Sequence, residues 1–206
     1  MSIQSIMAIG PVIPVVIIEN IDDAIPLADA LIEGGIGTIE ITLRSAVALD
    51  AIALISKERP ELTIGVGTVL NPSQLRKVQE TGADFVVSPG VYPELLKSAR
   101  NSGLVFLPGA ATASEMMLLL ANGITAMKFF PATSAGGPGY LKALASPLAD
   151  AIFCPTGGIT AETAIEWLLL PNVQCVGGSW VAPKDMLTKG DFSGIVANAK
   201  ACSTLN

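Results

Sequence analysis

Histidine is absent from this chain of 206 residues. Its absence removes the side chain most often used as a general base near neutral pH, and also the commonest zinc ligand. Any acid–base chemistry therefore falls to carboxylates, lysines or hydroxyl groups. No stretch offers two or three metal ligands at a useful spacing, so we expect neither a metal ion nor another cofactor.

Charged residues are scarce as well, at 15% of the chain, against roughly 25% in an average soluble domain. Half of the residues are apolar, which allows a large core and leaves apolar surface for a subunit interface. The net charge of −6 disfavours nucleic acid as a partner, because nucleic acid binds basic faces. An anionic ligand would have to be held by local groups and not by the overall field.

Long apolar runs are missing too. No uninterrupted apolar stretch reaches the ~18 residues that a membrane helix needs, because a glycine and two prolines break the apolar stretch 3–18. The first basic residue is Arg44, so a signal peptide would lack its positively charged start. We expect a cytoplasmic protein without a membrane partner.

The cysteines are few and far apart in sequence, at Cys154, Cys175 and Cys202. Their spacing matches no metal-binding or redox motif, so we interpret them as reduced thiols in a cytosolic protein. Cys154 and Cys175 lie in apolar runs and are predicted to be core residues.

Short β-rich runs alternate with segments of helical spacing along the whole chain. The eight runs are residues 12–18, 37–43, 62–68, 84–88, 104–109, 126–131, 151–158 and 173–178. Strands that alternate with helices predict parallel pairing through right-handed crossovers, and their apolar character predicts burial on both faces. The simplest closed arrangement is an α/β fold with a single (β/α)8 TIM barrel over residues 1–206, preceded by a short N-terminal helix. An open doubly wound sheet is the alternative.

Polar residues alternate with apolar ones in the second run, "IEITLR". Glu40, Thr42 and Arg44 share one face of the strand, because side chains at i, i+2 and i+4 point the same way. If the apolar face packs under the helices, the polar face lines the barrel interior, where active sites lie at the C-terminal strand ends. Two alternatives are an edge strand with a solvated polar face, and a Glu40–Arg44 ion pair that serves structure only.

A single lysine, Lys128, lies in the apolar run "AMKFFPA". It shares a strand face with Phe130, and in a barrel interior desolvation would favour its neutral amine. A neutral amine is a nucleophile that forms Schiff bases with ketones. The alternative is a lysine that extends to water from the end of its strand.

Glycine pairs follow the last two runs, in "PTGGI" (155–159) and "GGSW" (177–180). Phosphate sites of barrels often form at this position, because glycine lets an anion approach backbone N–H groups. Two other strand ends carry candidate residues, with Thr68 after the third run and Pro89 in "SPG" after the fourth.

Together these motifs resemble the 2-keto-3-deoxy-6-phosphogluconate (KDPG) aldolases, a family that includes 4-hydroxy-2-oxoglutarate (KHG) aldolases. The segments that carry the resemblance are "IEITLR", "GVGTVLNP", "SPG", "KFFPA" and "CPTGGI", and it extends from "PVIPVV" to "GGSWVAP". The resemblance implies a metal-free class I aldolase with a barrel fold, assembled as a homotrimer.

The resemblance also implies a role for each matching residue. Lys128 corresponds to the Schiff-base lysine and Glu40 to the carboxylate that moves protons. The implied contacts to the pyruvate part of the substrate are Arg44, Thr68, Thr156, Pro89 and Phe130. The implied phosphate contacts are Gly157, Gly158 and Ser179.

The implied reaction is cleavage of the phosphorylated 2-keto acid KDPG to pyruvate and glyceraldehyde 3-phosphate. KHG, which would give pyruvate and glyoxylate, shares the pyruvate half and is a second candidate substrate. Three alternatives are a sugar-phosphate isomerase or epimerase, a non-catalytic phosphate-binding barrel and a purely structural trimer.

Overall fold

The computed structural model describes residues 1–205, and in that part of the chain nine strands carry the sheet structure. The strands are Val12–Val16 (β1), Thr38–Thr42 (β2), Thr63–Gly67 (β3), Phe85–Val87 (β4), Val105–Leu107 (β5), Gly109–Ala110 (β6), Ala126–Phe129 (β7), Ile152–Pro155 (β8) and Val176–Gly178 (β9).

Helices alternate with these strands, and a short helix precedes the first strand, as predicted. The helices are Ile3–Met7 (α1), Ala24–Glu33 (α2), Ala48–Glu58 (α3), Pro72–Val78 (α4), Pro93–Ser102 (α5), Ala113–Ala121 (α6), Gly137–Leu144 (α7), Ala164–Leu168 (α8), Lys184–Lys189 (α9) and Phe192–Ser203 (α10). A capping box lies at the start of α6, with Thr112 and Glu115 each accepting the other's backbone N–H. No helix within residues 1–205 is long and apolar enough to cross a membrane.

All strand pairs are parallel, and they form a curled sheet in two parts. One part has the order β5-β4-β3-β2-β1-β9 and the other the order β6-β7-β8. An isolated bridge between Thr156 and Gly177 connects the end of β8 to β9. The last strand lies beside the first, whereas a doubly wound sheet would reverse its strand order partway.

The prediction of a closed eight-stranded barrel requires a correction at the fifth run. Pro108 divides this run into β5, which pairs with β4, and β6, which pairs with β7. Proline has no N–H to donate to a sheet, so the ladder is interrupted there. Between β8 and β9 only isolated bridges are present in the described residues. The observed fold is therefore α/β with a curled, barrel-like parallel sheet whose ladders do not form a continuous ring.

Two apolar layers lie on opposite sides of the sheet. The outer layer, between strands and helices, contains Ile39 and Ile41 of β2. The inner layer contains Ile13, Phe85, Val87, Leu107, Ala126, Cys154 and Cys175, together with Ile6 and Met7 of α1. Hydrogen bonds from Gln4 to Thr125 and from Gln174 to the Gln4 carbonyl hold α1 at the N-terminal ends of β7 and β9. The lower half of the interior is therefore apolar and closed by α1.

All three cysteines are buried free thiols, and the prediction that Cys154 and Cys175 belong to the core is confirmed. A hydrogen bond with Cys154 and burial raise the pKa of the Cys175 thiol well above its ordinary value. Cys202 lies elsewhere, on α10, where its sulfur accepts the indole N–H of Trp180 at 3.2 Å.

Candidate active site

The polar face of β2 points into the interior, as the alternation in "IEITLR" predicts. Glu40 is only 3% exposed, while its neighbours Ile39 and Ile41 pack in the outer layer. Every residue of β2 is buried, so the interpretation as an edge strand with a solvated face is wrong.

Lys128 and Glu40 form a buried ion pair across the interior. Lys128 Nζ donates to Glu40 Oε1 at 2.9 Å and to Oε2 at 3.1 Å. The two side chains are 7% and 4% exposed. Each charge has lost its water, and close contact with both oxygens offsets part of that desolvation cost. Lys128 therefore does not extend to water, and the carboxylate of Glu40 pairs with this lysine and not with Arg44.

Missing side chains on neighbouring strands make room for this pair. A Cβ on Gly67 of β3 would lie 2.2 Å from Glu40 Oε1, far inside an ordinary contact distance. On the other side, Gly109 of β6 is in register with Lys128, and a Cβ there would lie 2.3 Å from the backbone of Pro89. A larger residue at Gly67 would displace Glu40 itself, and one at Gly109 would displace the backbone of Pro89 beside the strand of Lys128.

An aromatic ring covers the amine from the side of the solvent. Lys128 Nζ lies 5.5 Å from the centroid of the half-buried Phe130 ring, within the range of a cation–π contact. The ring also faces the glycine turn after β8, because a Cβ on Gly157 would lie 3.4 Å from it. Phe130 thus contacts the amine and also forms part of the wall of the neighbouring cavity.

The cavity lies at the C-terminal ends of the strands and has a volume of about 320 Å³, at the lower end of the range for small-molecule sites. Six of the ten residues predicted to form the site line it. They are Arg44, Phe130, Thr156, Gly157, Gly158 and Ser179.

Arg44 is held at one side of this cavity without a charged partner. Its Nε donates to Thr42 Oγ1 at 3.2 Å, and that hydroxyl donates in turn to the Val16 carbonyl at 3.1 Å. Arg44 forms no ion pair with a carboxylate of residues 1–205. The guanidinium is therefore positioned by a neutral group and is available to an anionic ligand.

The glycine turn after β8 exposes backbone donors. Gly157 and Gly158 have φ angles of 105° and 78°, a region that L side chains rarely adopt. A Cβ on Gly158 would also lie 2.8 Å from Thr133. Within residues 1–205 the N–H groups of Gly158 and Ser179 donate to no backbone carbonyl. Neighbouring backbone N–H groups without acceptors favour the binding of an anion.

Two predicted residues, Thr68 and Pro89, do not line the cavity. Thr68 is half-buried and follows Gly67 with a φ of 62°, a strained conformation for a β-branched residue. Pro89 lies against Gly109. Both residues thus adjoin the glycines beside the ion pair, and the structure does not bring them to the cavity wall.

The sequence analysis missed several cavity residues, of which one is charged. Lys184, at the start of α9, lines the cavity, and its Nζ contacts Glu19 Oε1 at 2.8 Å. The other missed residues are Val15, Val16, Ile17 and Ala182, while Ile159 and Gly177 lie in the glycine segments named in the sequence but were assigned no contact. The signal that could have identified Lys184 is its position five residues after Ser179, in the same strand-end segment.

The side chains of the site within residues 1–205 are not arranged as a metal centre. Residues 1–205 bring together no group of three His, Cys, Asp or Glu side chains that could hold a metal ion. In its interior the site brings together the amine of Lys128 and the carboxylate of Glu40, and such a pair can exchange a proton directly.

Comparison with known proteins identifies close relatives in sequence. The KHG/KDPG aldolase of Escherichia coli (strain K12) is 45% identical over 199 residues, which cover 97% of this chain and 93% of that protein. The 2-dehydro-3-deoxy-phosphogluconate aldolase of Zymomonas mobilis is 46% identical over 201 residues, covering 98% and 95%.

Solved structures agree with the sequence relatives. The KDPG aldolase of Legionella pneumophila, with pyruvate captured as a covalent carbinolamine intermediate, superposes with a TM-score of 0.97 at 43% identity, covering 99% of both chains. The Zymomonas mobilis enzyme with 3-phosphoglycerate superposes with a TM-score of 0.94 at 46% identity, covering 99% of this chain and 96% of that one. Residues 3–198 match the family described as KDPG and KHG aldolase, and the chain belongs to that family.

Proposed function

We propose that this protein is a class I aldolase that cleaves KDPG to pyruvate and glyceraldehyde 3-phosphate through a Schiff base on Lys128. The observation that carries the proposal is the buried Lys128–Glu40 ion pair, next to a cavity that offers a free guanidinium and free backbone N–H groups. The relative from Legionella pneumophila captures pyruvate as a carbinolamine, the adduct that an amine forms with a ketone.

Formation of the Schiff base begins with a proton transfer inside the ion pair. Glu40 Oε1, at 2.9 Å from Nζ, accepts a proton and leaves a neutral amine. The amine attacks C2 of the substrate, and a proton moves from the attacking nitrogen to the former carbonyl oxygen to give the carbinolamine, while Glu40 keeps its proton. Loss of that hydroxyl as water, with the proton held by Glu40, yields the protonated imine.

Cleavage uses the imine as an electron sink. Glu40, again a carboxylate, takes the proton of the C4 hydroxyl. The C4–O bond becomes a carbonyl, the C3–C4 bond breaks, and its electron pair moves into the C2–N system to give an enamine. Glyceraldehyde 3-phosphate leaves. Glu40 returns its proton to C3, and hydrolysis of the imine releases pyruvate and the Lys128 amine.

The two ends of the substrate are held by different parts of the site. We assign the substrate carboxylate to Arg44, with Thr156 and Phe130 of the cavity wall around the pyruvate part, and with Thr68 and Pro89 deeper in the site, beside the glycines next to the ion pair. We assign the phosphate to Gly157, Gly158 and Ser179. Support comes from the unpaired guanidinium of Arg44 and from the free N–H groups after β8 and β9.

KHG is a second candidate substrate, because one of the relatives is named for both substrates. The Escherichia coli protein is a KHG/KDPG aldolase, and KHG has the same pyruvate half as KDPG. The Lys128–Glu40 chemistry needs only that half and the adjoining C4 hydroxyl, which both substrates have. We therefore propose that this protein also cleaves KHG to pyruvate and glyoxylate, without the phosphate contacts.

The finer architecture and assembly belong to the same proposal. We infer that residues 1–206 form one domain, a (β/α)8 barrel closed between β8 and β9, and the Thr156–Gly177 bridge supports this closure. We also infer a homotrimer in the cytoplasm. Exposed apolar side chains at Leu70, Met117 and Leu118 would supply part of its interface.

Covalent trapping tests the proposal directly. Pyruvate plus sodium borohydride should leave a stable adduct that peptide mapping places on Lys128, and Lys128→Ala should abolish it. Lys142→Ala, which removes an exposed lysine of α7, is the matched control and should retain it. An adduct on another lysine, or no adduct at all, would contradict the assignment. An isomerase or a non-catalytic barrel is expected to form no adduct. Release of pyruvate from KDPG, measured in parallel, tests the substrate.

A further inference from the structure

The cavity has two cationic groups on its wall, one expected and one not. Arg44 and Lys184 both line it, together with the glycines of the proposed phosphate site. The third cation of the site, Lys128, is absent from the wall and is neutralised by Glu40. The proposed substrate also has two anionic ends, a carboxylate and a phosphate. Since Arg44 is assigned to the carboxylate, Lys184 remains for the phosphate.

The present partner of Lys184 is easily replaced. Lys184 Nζ contacts Glu19 Oε1 at 2.8 Å, but the two side chains are 63% and 55% exposed. Exposed pairs of this kind contribute little to stability because water screens them. A phosphate group carries up to two negative charges and three acceptor oxygens, so it competes well against one exposed carboxylate for the same ammonium.

The charge of the whole protein makes a local cation more important. With a net charge of −6, the overall field opposes the approach of a doubly charged anion. Backbone N–H groups act only at contact, whereas a full positive charge at the cavity mouth acts over roughly 10 Å at ordinary ionic strength.

We propose that Lys184 is a specificity-determining residue that leaves Glu19 to bind the phosphate of the substrate. The proposal rests on the proposed function and adds a contact that favours phosphorylated over unphosphorylated substrates. Glu19 then acts as a competitor that holds the lysine at the cavity when no phosphate is bound.

The experiment compares Lys184→Met with the wild type on two substrates that differ in the phosphate alone, KDPG and 2-keto-3-deoxygluconate. Methionine keeps an unbranched side chain and removes the charge. We expect KM for KDPG to rise about tenfold, equivalent to about 1.4 kcal/mol, with kcat retained. KM for the unphosphorylated substrate should stay unchanged, and KM for KDPG should depend less on ionic strength than in the wild type.

Lys189→Met is the matched control, because this lysine lies on the same helix, is similarly exposed and pairs with Asp185 at 3.2 Å, away from the cavity wall. It should leave KM unchanged for both substrates. Glu19→Gln releases Lys184 from its competitor and should lower KM for KDPG by about two- to fivefold, the range of an exposed ion pair.

Three results would overturn this inference. They are an unchanged KM for KDPG in Lys184→Met, an equal rise for both substrates, and an equal rise in Lys189→Met. Failure of the proposed function has a different signature, since the wild type itself would release no pyruvate from KDPG and trap no pyruvate on Lys128.

Discussion

Gly67→Ala tests the proton transfer without removing either reacting group. The new Cβ would lie 2.2 Å from Glu40 Oε1 and 2.8 Å from Glu40 Cδ, whereas ordinary carbon contacts begin near 3.5 Å. The carboxylate must therefore retreat by about 1 Å. Its hydrogen bond to Lys128 Nζ, now 2.9 Å, would lengthen beyond the range of a hydrogen bond unless the lysine followed.

Displacement of a catalytic group by about 1 Å costs roughly 10²-fold in rate, which corresponds to about 2.7 kcal/mol of barrier. We therefore expect kcat for KDPG to fall by that factor. Proton exchange at the pyruvate methyl, followed by NMR in deuterated water, should fall in parallel because it uses the same carboxylate. Borohydride trapping of pyruvate on Lys128 should persist.

Gly65→Ala is the matched control on the same strand. Its Cβ would lie 2.2 Å from the Phe85 ring, so it disturbs the packing of β3 next to Glu40, its register partner on β2, while the nearest atoms that it meets belong to Phe85 and not to the carboxylate. Both variants should lower the melting temperature, and rates are compared per folded molecule. Near-normal exchange in Gly67→Ala, or an equal loss in Gly65→Ala, would refute the claim that the position of Glu40 limits proton transfer.

Three further predictions concern single side chains. Glu40→Gln should still trap pyruvate on Lys128, but more slowly because water must then carry the proton of the amine, while turnover falls roughly 10²–10⁴-fold, the range for a positioned acid–base group; near-normal turnover would assign the proton to another group. Ser179→Asp should raise KM for KDPG far more than KM for KHG, because an added carboxylate repels only the phosphate, and equal effects would place the phosphate elsewhere. The Arg59 guanidinium, which donates to Asp29 Oδ2 at 2.9 Å, lowers the pKa of Asp29. Asp29 therefore stabilises the fold above its unfolded pKa, and that contribution is lost as pH falls through the lower folded value. Acid unfolding profiles should show a smaller loss of stability between about pH 5 and pH 2 in Arg59→Met; an unchanged profile would mean that the pair contributes nothing.

Local patterns predicted the features that depend on local geometry. The alternation in "IEITLR" identified the inward face of β2 because side chains alternate strictly along a strand. The glycine pair 157–158 marked a real turn at the cavity, because positive φ favours glycine.

Features that depend on how distant segments meet were beyond the sequence patterns. Glu40 and Lys128 are 88 positions apart, and their pairing depends on the curl of the sheet. The break at Pro108 depends on which neighbour each half of the run pairs with. Lys184 begins the short helix α9, and only its position five residues after Ser179 distinguished it from an ordinary surface lysine.

The buried thiols can report separately on local and global unfolding of this fold, because they lie in two different places. A thiol reacts with an alkylating reagent only as an exposed thiolate, so the labelling of each cysteine reports how often its surroundings open. Cys202 lies on α10, and undocking of that terminal helix is enough to expose it. Cys154 and Cys175 lie inside the curled sheet and require the sheet itself to separate. Labelling of Cys202 ahead of the other two would therefore reveal partial unfolding at the outer layer, while simultaneous labelling of all three would show that the chain opens as one cooperative unit.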